Sequence, residues 1–93
     1  MKKTKEYIKR RIVDEIVLVP SGSTAEEFNG MITISESGEF IWDHIEECNS
    51  LGELIELMLQ EYEIDRETAT NDTIAFVTEL LRLRMIEPTN NNW

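Results

Sequence analysis

The sequence has one cysteine, one histidine, two prolines and four scattered glycines in 93 residues. With Cys48 alone no internal disulfide can form, which fits a reducing compartment. With His44 alone and no cysteine pair, a zinc-type ligand set cannot be assembled. Cys48 also lacks a basic neighbour in sequence to lower its pKa, so it does not read as a nucleophile. The glycines form no phosphate-cradling loop. Carboxylates are abundant, but Asp14-Glu15, Glu26-Glu27 and Glu46-Glu47 are adjacent pairs of the kind that make solvated faces, and nothing sets them in an apolar pocket. The sequence therefore predicts no independent catalysis, no cofactor and no metal.

Long apolar runs are absent too. No stretch approaches the roughly 20 apolar residues of a membrane span. The basic start, MKKTKEYIKRR, is not followed by the apolar segment of a signal peptide. A soluble, cytoplasmic protein is the expectation. Cations are few and crowded at one end. Residues 1–11 hold six of them against Glu6 alone, a net of +5, which leaves −15 on residues 12–93 for an overall −10. An acidic body of this kind repels phosphate backbones.

What is present is a globular composition, 41% hydrophobic with seven aromatics, sized for one small domain over residues 1–93. The expected core spans about residues 7–87, with loose ends that include TNNNW. Tyr7, Ile8, Ile12 and Val13 mark a first strand, Asp14-Glu15 a reversal, and the β-branched run IVLVP a second strand that stops at Pro20-Ser21-Gly22. A polar loop leads to a third strand over residues 28–35, with Asn29-Gly30 as a bend or bulge at its start. Within it Ile32 and Ile34 alternate with Met31 and Thr33, so one face carries the isoleucines and the other Met31 and Thr33.

Three helices follow. The first starts near Ser35 or Ser37 and carries Phe40, Ile41, Trp42 and Ile45 at helical spacing. The second opens with a capping box, Ser50 and Glu53, ahead of Leu51, Leu54, Ile55, Met58, Leu59 and Tyr62. The third runs from Asp65, with Glu67 in its first turn, to about Arg84. The order β-β-β-α-α-α predicts an α+β, winged-helix-like domain: a three-stranded antiparallel sheet, too small to stand alone, packed on three helices.

The third helix has two apolar stripes. Ala69, Thr73, Phe76, Leu80 and Leu83 make one, and Ile74, Val77 and Leu81 a second, with Thr70 and Thr78 beside it. A helix packed on one side needs an apolar stripe little over 100° wide. Either both stripes are buried, or the second lines a groove. DNA binding is one alternative for such a fold, but this helix holds Asp65, Glu67, Asp72 and Glu79 against Arg66, Arg82 and Arg84, the wrong sign for phosphate contact. A structural adaptor that binds only a partner enzyme is another.

The series Pro20 and Gly22, Asn29-Gly30, Ser37-Gly38, Ile41-Trp42, Ser50, Glu53-Leu54, Tyr62, Asp72, Phe76, Leu80 and Met85-Ile86 resembles the PqqD-like family over residues 7–87. One position departs from the family pattern: Arg84 stands where a glycine usually caps the last helix, so it must either adopt a left-handed conformation or let the helix extend. The resemblance implies a non-catalytic domain that binds the leader of a ribosomally made precursor peptide and presents it to a modifying enzyme, a radical S-adenosylmethionine enzyme or a leader peptidase. The acidic body and the absence of a long apolar run lead to the expectation of no nucleic acid and no membrane as partners. The leader would add as a strand along the third strand, in a cleft against the third helix. Gly30, Met31, Ile32, Thr33, Ile34 and Ser35 are then the expected backbone partners. Ile74, Val77, Thr78 and Leu81 are the expected groove wall, with Thr70 and Thr78 as hydrogen-bonding side chains. Whether the leader is basic or acidic is left open.

Overall fold

The structure, a computed structural model, describes residues 1–4, 6–21 and 31–93. The expected start of the third strand at Phe28, the Asn29-Gly30 bend, Gly22 of the turn and the backbone partner Gly30 lie outside the described residues. The elements are β1 (Lys2–Lys3), β2 (Tyr7–Ile12), β3 (Glu15–Pro20), β4 (Ile32–Ile34), α1 (Glu36–His44), α2 (Leu51–Glu61), α3 (Arg66–Arg82) and β5 (Ile86–Glu87).

The antiparallel sheet runs β2-β3-β4, with β3 in the centre. Its register sets Ile16 opposite Ile34 and Leu18 opposite Ile32. Alternation then sends these four side chains to one face. Ile16, Leu18 and Ile34 are buried on it and Ile32 is half-buried. Met31, in the opposite phase, is 64% exposed. The helices cover the isoleucine face: Ile41, Trp42 and Ile45 of α1 and its end, Leu54, Ile55 and Met58 of α2, and Ala69, Thr73, Val77 and Leu80 of α3 are all buried. The α+β, three-strand and three-helix architecture is the one the sequence predicts.

The helix starts are fixed by side chains. Ser35, not Ser37, caps α1, its Oγ accepting from the Gly38 N–H at 3.1 Å. Ser50 Oγ accepts from the Glu53 N–H at 3.1 Å, and the Glu53 carboxylate reaches back to the Asn49 N–H, a capping box shifted by one residue at its return contact. Asp65 accepts from the Thr68 N–H at 3.1 Å. Hydrogen bonds from Thr68, side chain and backbone, hold its carboxyl below the ordinary aspartate range.

α3 ends at Arg82, two residues before the expected limit. Arg84 takes φ 60°, the Arg84 N–H donates to the Leu81 carbonyl at 3.0 Å and the Met85 N–H to the Leu80 carbonyl at 2.9 Å. These two bonds define a Schellman motif, completed by the contact of two fully buried side chains, Leu80 and Met85. Arg84 therefore adopts the left-handed conformation instead of extending the helix.

Two features have no counterpart in the sequence reading. β1 pairs with β5 antiparallel, Lys2 opposite Glu87 and Lys3 opposite Ile86, so a second, two-stranded sheet joins residues over eighty apart. The segment expected to be loose at the C-terminus is docked: the Leu51 N–H donates to the Asn92 carbonyl at 3.4 Å, Asn90 Nδ2 to the Asn49 carbonyl at 2.9 Å, and Trp93 packs half-buried against the core.

The basic N-terminal segment is strapped to the acidic body. Lys9 Nζ lies 2.8 Å from Asp43 and 3.0 Å from Glu39 of α1, Arg11 lies 3.5 Å from Glu39, Lys2 is 3.3 Å from Glu87, and Lys3 stands over the Trp42 ring at 4.3 Å. Hydrogen bonds to Asp43 and Glu39 raise the Lys9 ammonium above its ordinary range. β2 is thus an edge strand studded with Lys9, Arg10 and Arg11.

Candidate functional site

β4 is the other edge of the sheet, and on its outer side no strand pairs with it among the described residues. In an antiparallel ladder alternate residues turn their N–H and C=O groups to the partner, and the rest turn them outward. β4 therefore presents backbone donors and acceptors along a border whose side chains, Ile32, Thr33 and Ile34, carry no charge. Met31 and Ser35 flank it, Ser35 committed to capping α1.

Beside this edge lies a groove of about 340 Å³ between the start of α1, at Ser35, Ser37 and Gly38, and one flank of α3, at Asp72, Ala75, Phe76 and Glu79. Its floor is set by a missing side chain. A β-carbon on Gly38 would stand 3.0 Å from Phe76 Cε1 and 3.3 Å from Ile34 Cβ. The glycine thus lets the Phe76 ring settle against α1 beside the inward side chain of β4. Phe76 remains half-buried, open on its groove side.

The groove wall differs from the one expected. Ile74 sits two residues from Phe76, which at 100° per residue places it about 160° around the helix axis. Ile74 and Leu81 are 43% and 38% exposed, and Thr78 is exposed beside them, on the flank turned away from Gly38 and Phe76. Thr70 is half-buried toward that same side. Val77 is 6% exposed and belongs to the core. Of the expected site, the structure brings Ser35 into the groove and Ile34 beside Gly38 at its floor, whereas Met31, Ile32 and Thr33 do not line it. It does not bring Thr70, Ile74, Val77, Thr78 or Leu81 there. The physical reason is that apolar periodicity fixes the angle between two stripes, not which of them meets the sheet. Phe76, Asp72 and Gly38 were visible in the sequence, yet Phe76 reads there as core, and only the close approach at Gly38 turns it into groove lining.

A larger depression, about 500 Å³, lies on the outer side of α2, where Glu47, Glu53 and Glu56 surround Leu57 and Cys48. Burial pushes the Cys48 thiol above its ordinary range, the opposite of what a nucleophile needs. Among the described residues no group of three or more His, Cys, Asp or Glu could hold a metal ion. Among them also, no helix is long and apolar enough to cross a membrane.

A search of curated proteins gives no match. Among solved structures, TbiB1 in complex with the TbiA(beta) leader peptide is similar, with a TM-score of 0.68 and 24% identity over 98% of this chain and 100% of that one, a likeness of fold. The family described as Coenzyme PQQ synthesis protein D (PqqD) matches residues 15–86, which takes in every element from β3 to α3. On that match, and with a fold that agrees, the chain belongs to the PqqD family.

Proposed function

We propose that this protein is a non-catalytic escort that captures the leader of a ribosomally made precursor peptide and presents it to a modifying enzyme, a radical S-adenosylmethionine enzyme or a leader peptidase. The observation that carries this is the uncharged edge of β4, unpaired among the described residues, leading through Ser35 into the groove floored by Phe76 and Gly38. A peptide strand added there completes the backbone ladder while alternate side chains enter the groove. Membership of the PqqD family and the fold shared with a leader-binding protein support the same reading.

The magnitudes are adequate. Two or three apolar side chains buried in the groove contribute about 1.5–3 kcal/mol each. Strand hydrogen bonds add about 1 kcal/mol apiece. Ordering a disordered leader costs about 2–5 kcal/mol. The remainder corresponds to a Kd in roughly the micromolar to high-nanomolar range.

DNA binding gains nothing from the structure. Arg66 and Arg82 of α3 are ion-paired to Glu56 and Glu79, each at about contact distance, and the N-terminal cations Lys2, Lys3, Lys9 and Arg11 lie against carboxylates. The test is a titration of isotope-labelled protein with its precursor peptide. Amides of Met31 to Ser35 and of the Asp72–Glu79 flank should shift. Shifts confined to α2 or to the Ile74–Leu81 flank would defeat the assignment.

A further inference from the structure

We infer that the groove beside β4 selects a peptide with a basic side chain two residues from a large apolar one, the basic group meeting Asp72 and the apolar group meeting Phe76. This rests on the peptide-binding reading above and adds the chemistry of the occupant.

Spacing comes first. Asp72 and Phe76 lie on the groove flank of α3, one turn apart. Four residues at 1.5 Å per residue separate them by about 6 Å along the axis. In a strand, side chains on the same face recur every two residues, at about 6.6–6.8 Å. A strand laid along α3 beside β4 therefore offers positions i and i+2 to these two residues.

Chemistry comes second. The Phe76 site is apolar, with the ring seated on Gly38 and Ala75 alongside. The two carboxylates of the groove are unequal. Glu79 accepts from Arg82 Nε at 2.9 Å and from Arg82 Nη2 at 2.5 Å, and those bonds hold its carboxyl below the ordinary range. Asp72 has no ion-pair or hydrogen-bond partner among the described residues. When a peptide covers the groove, Asp72 loses water, and an unpaired charge is costly to desolvate. A lysine or arginine on the peptide replaces that water with a charge-assisted bond. A neutral or acidic residue at the same place leaves the penalty uncompensated, so discrimination comes from the repelled occupant as much as from the favoured one.

The test needs no known ligand. A display library of random 15-residue peptides is selected on the immobilised full chain, and enriched peptides are synthesised and mapped by amide shifts on labelled protein. Peptides that shift Met31 to Ser35 should share Lys or Arg two positions from a large apolar residue. Their Kd should weaken about tenfold on Asp72→Asn, the usual size of one charge-assisted hydrogen bond. It should stay unchanged on Glu87→Gln, a distant carboxylate of β5. Asp72→Lys should invert the preference toward an acidic residue at the same offset. Peptides that bind at β4 with no basic residue, or that bind Asp72→Asn equally well, overturn this inference and leave peptide binding standing. Selection that yields no peptide touching β4 overturns both.

Discussion

The edge of the Phe76 ring and the backbone of Gly38 are packed so closely that a methyl group on Gly38 would sit 3.0 Å from Phe76 Cε1. That separation is tighter than ordinary carbon contact, so any side chain at position 38 displaces the ring, and the open side is the groove. Gly38 is buried in the first turn of α1 and does not need its glycine for the helix. Its role is to keep Phe76 low.

Gly38→Ala should accordingly separate stability from binding. Alanine gains about 1 kcal/mol of helix propensity over glycine, which offsets much of the cost of moving a half-buried ring. Urea unfolding should show a change within about 1 kcal/mol either way. Calorimetric titration of the precursor peptide should show clearly weaker binding, because the ring now fills the space. Unaltered affinity would mean that the ring does not floor the site.

The two flanks of α3 make opposite predictions. Phe76→Asp should abolish peptide binding, whereas Ile74→Asp and Leu81→Asp should leave Kd within about twofold, since those side chains project from the far side at 43% and 38% exposure. Fluorescence anisotropy with labelled precursor distinguishes them, and circular dichroism of each variant confirms that it is folded. Loss of binding in the Ile74 and Leu81 variants alone would restore the groove wall read from the sequence.

Two left-handed residues are strained and replaceable. Arg84 at φ 60° closes the Schellman motif after α3, and Val13 at φ 56° turns the β2–β3 hairpin while 88% exposed. Non-glycine residues in this region cost about 1–2 kcal/mol. Arg84→Gly and Val13→Gly should each stabilise the protein by about 1 kcal/mol, less some unfolded-state entropy. Equilibrium unfolding measures this directly. A destabilised Arg84→Gly would show that the arginine side chain contributes more than its backbone costs.

Asp65 gives the fold a pH dependence of known sign. The hydrogen bonds from Thr68 lower its carboxyl in the folded state, so the unfolded chain takes up the proton first as pH falls. The cap's contribution is complete above the ordinary aspartate pKa of about 3.9 and is lost as pH drops through the lower folded value. Asp65→Ala should have a lower Tm than the parent at pH 7, and the gap should close in the most acidic part of a Tm series. A gap that persists at the acid end would locate the effect elsewhere.

Local signals account for what could be read in advance. Ile32 and Ile34 alternate with Met31 and Thr33, and the structure buries the isoleucine face accordingly. Ser50 with Glu53, and Asp65, are capping signatures that need only a few neighbouring residues, and each forms. What failed was non-local. Lys2–Lys3 and Ile86–Glu87 are too short to show any period, and their pairing exists only because the chain ends meet. The docking of Asn90, Asn92 and Trp93 on α2 is of the same kind. The groove wall fell between the two: the stripes of α3 were legible, their facing was not, and Val77 at the stripe border belongs to the core.

The cations of β2 bear on assembly as well as on docking to α1. A sheet with two free borders can in principle grow without limit, one chain adding to each side. Here one border is lined by Lys9, Arg10 and Arg11, and two such strands laid together would set like charges face to face. Among the described residues β4 is the uncharged border, so contact between two β2 borders is disfavoured, and a stack that alternates β4–β4 with β2–β2 contacts does not propagate. On the proposed function, a leader peptide and a second copy of this chain would compete for the same β4 border, so peptide binding and self-pairing would exclude one another.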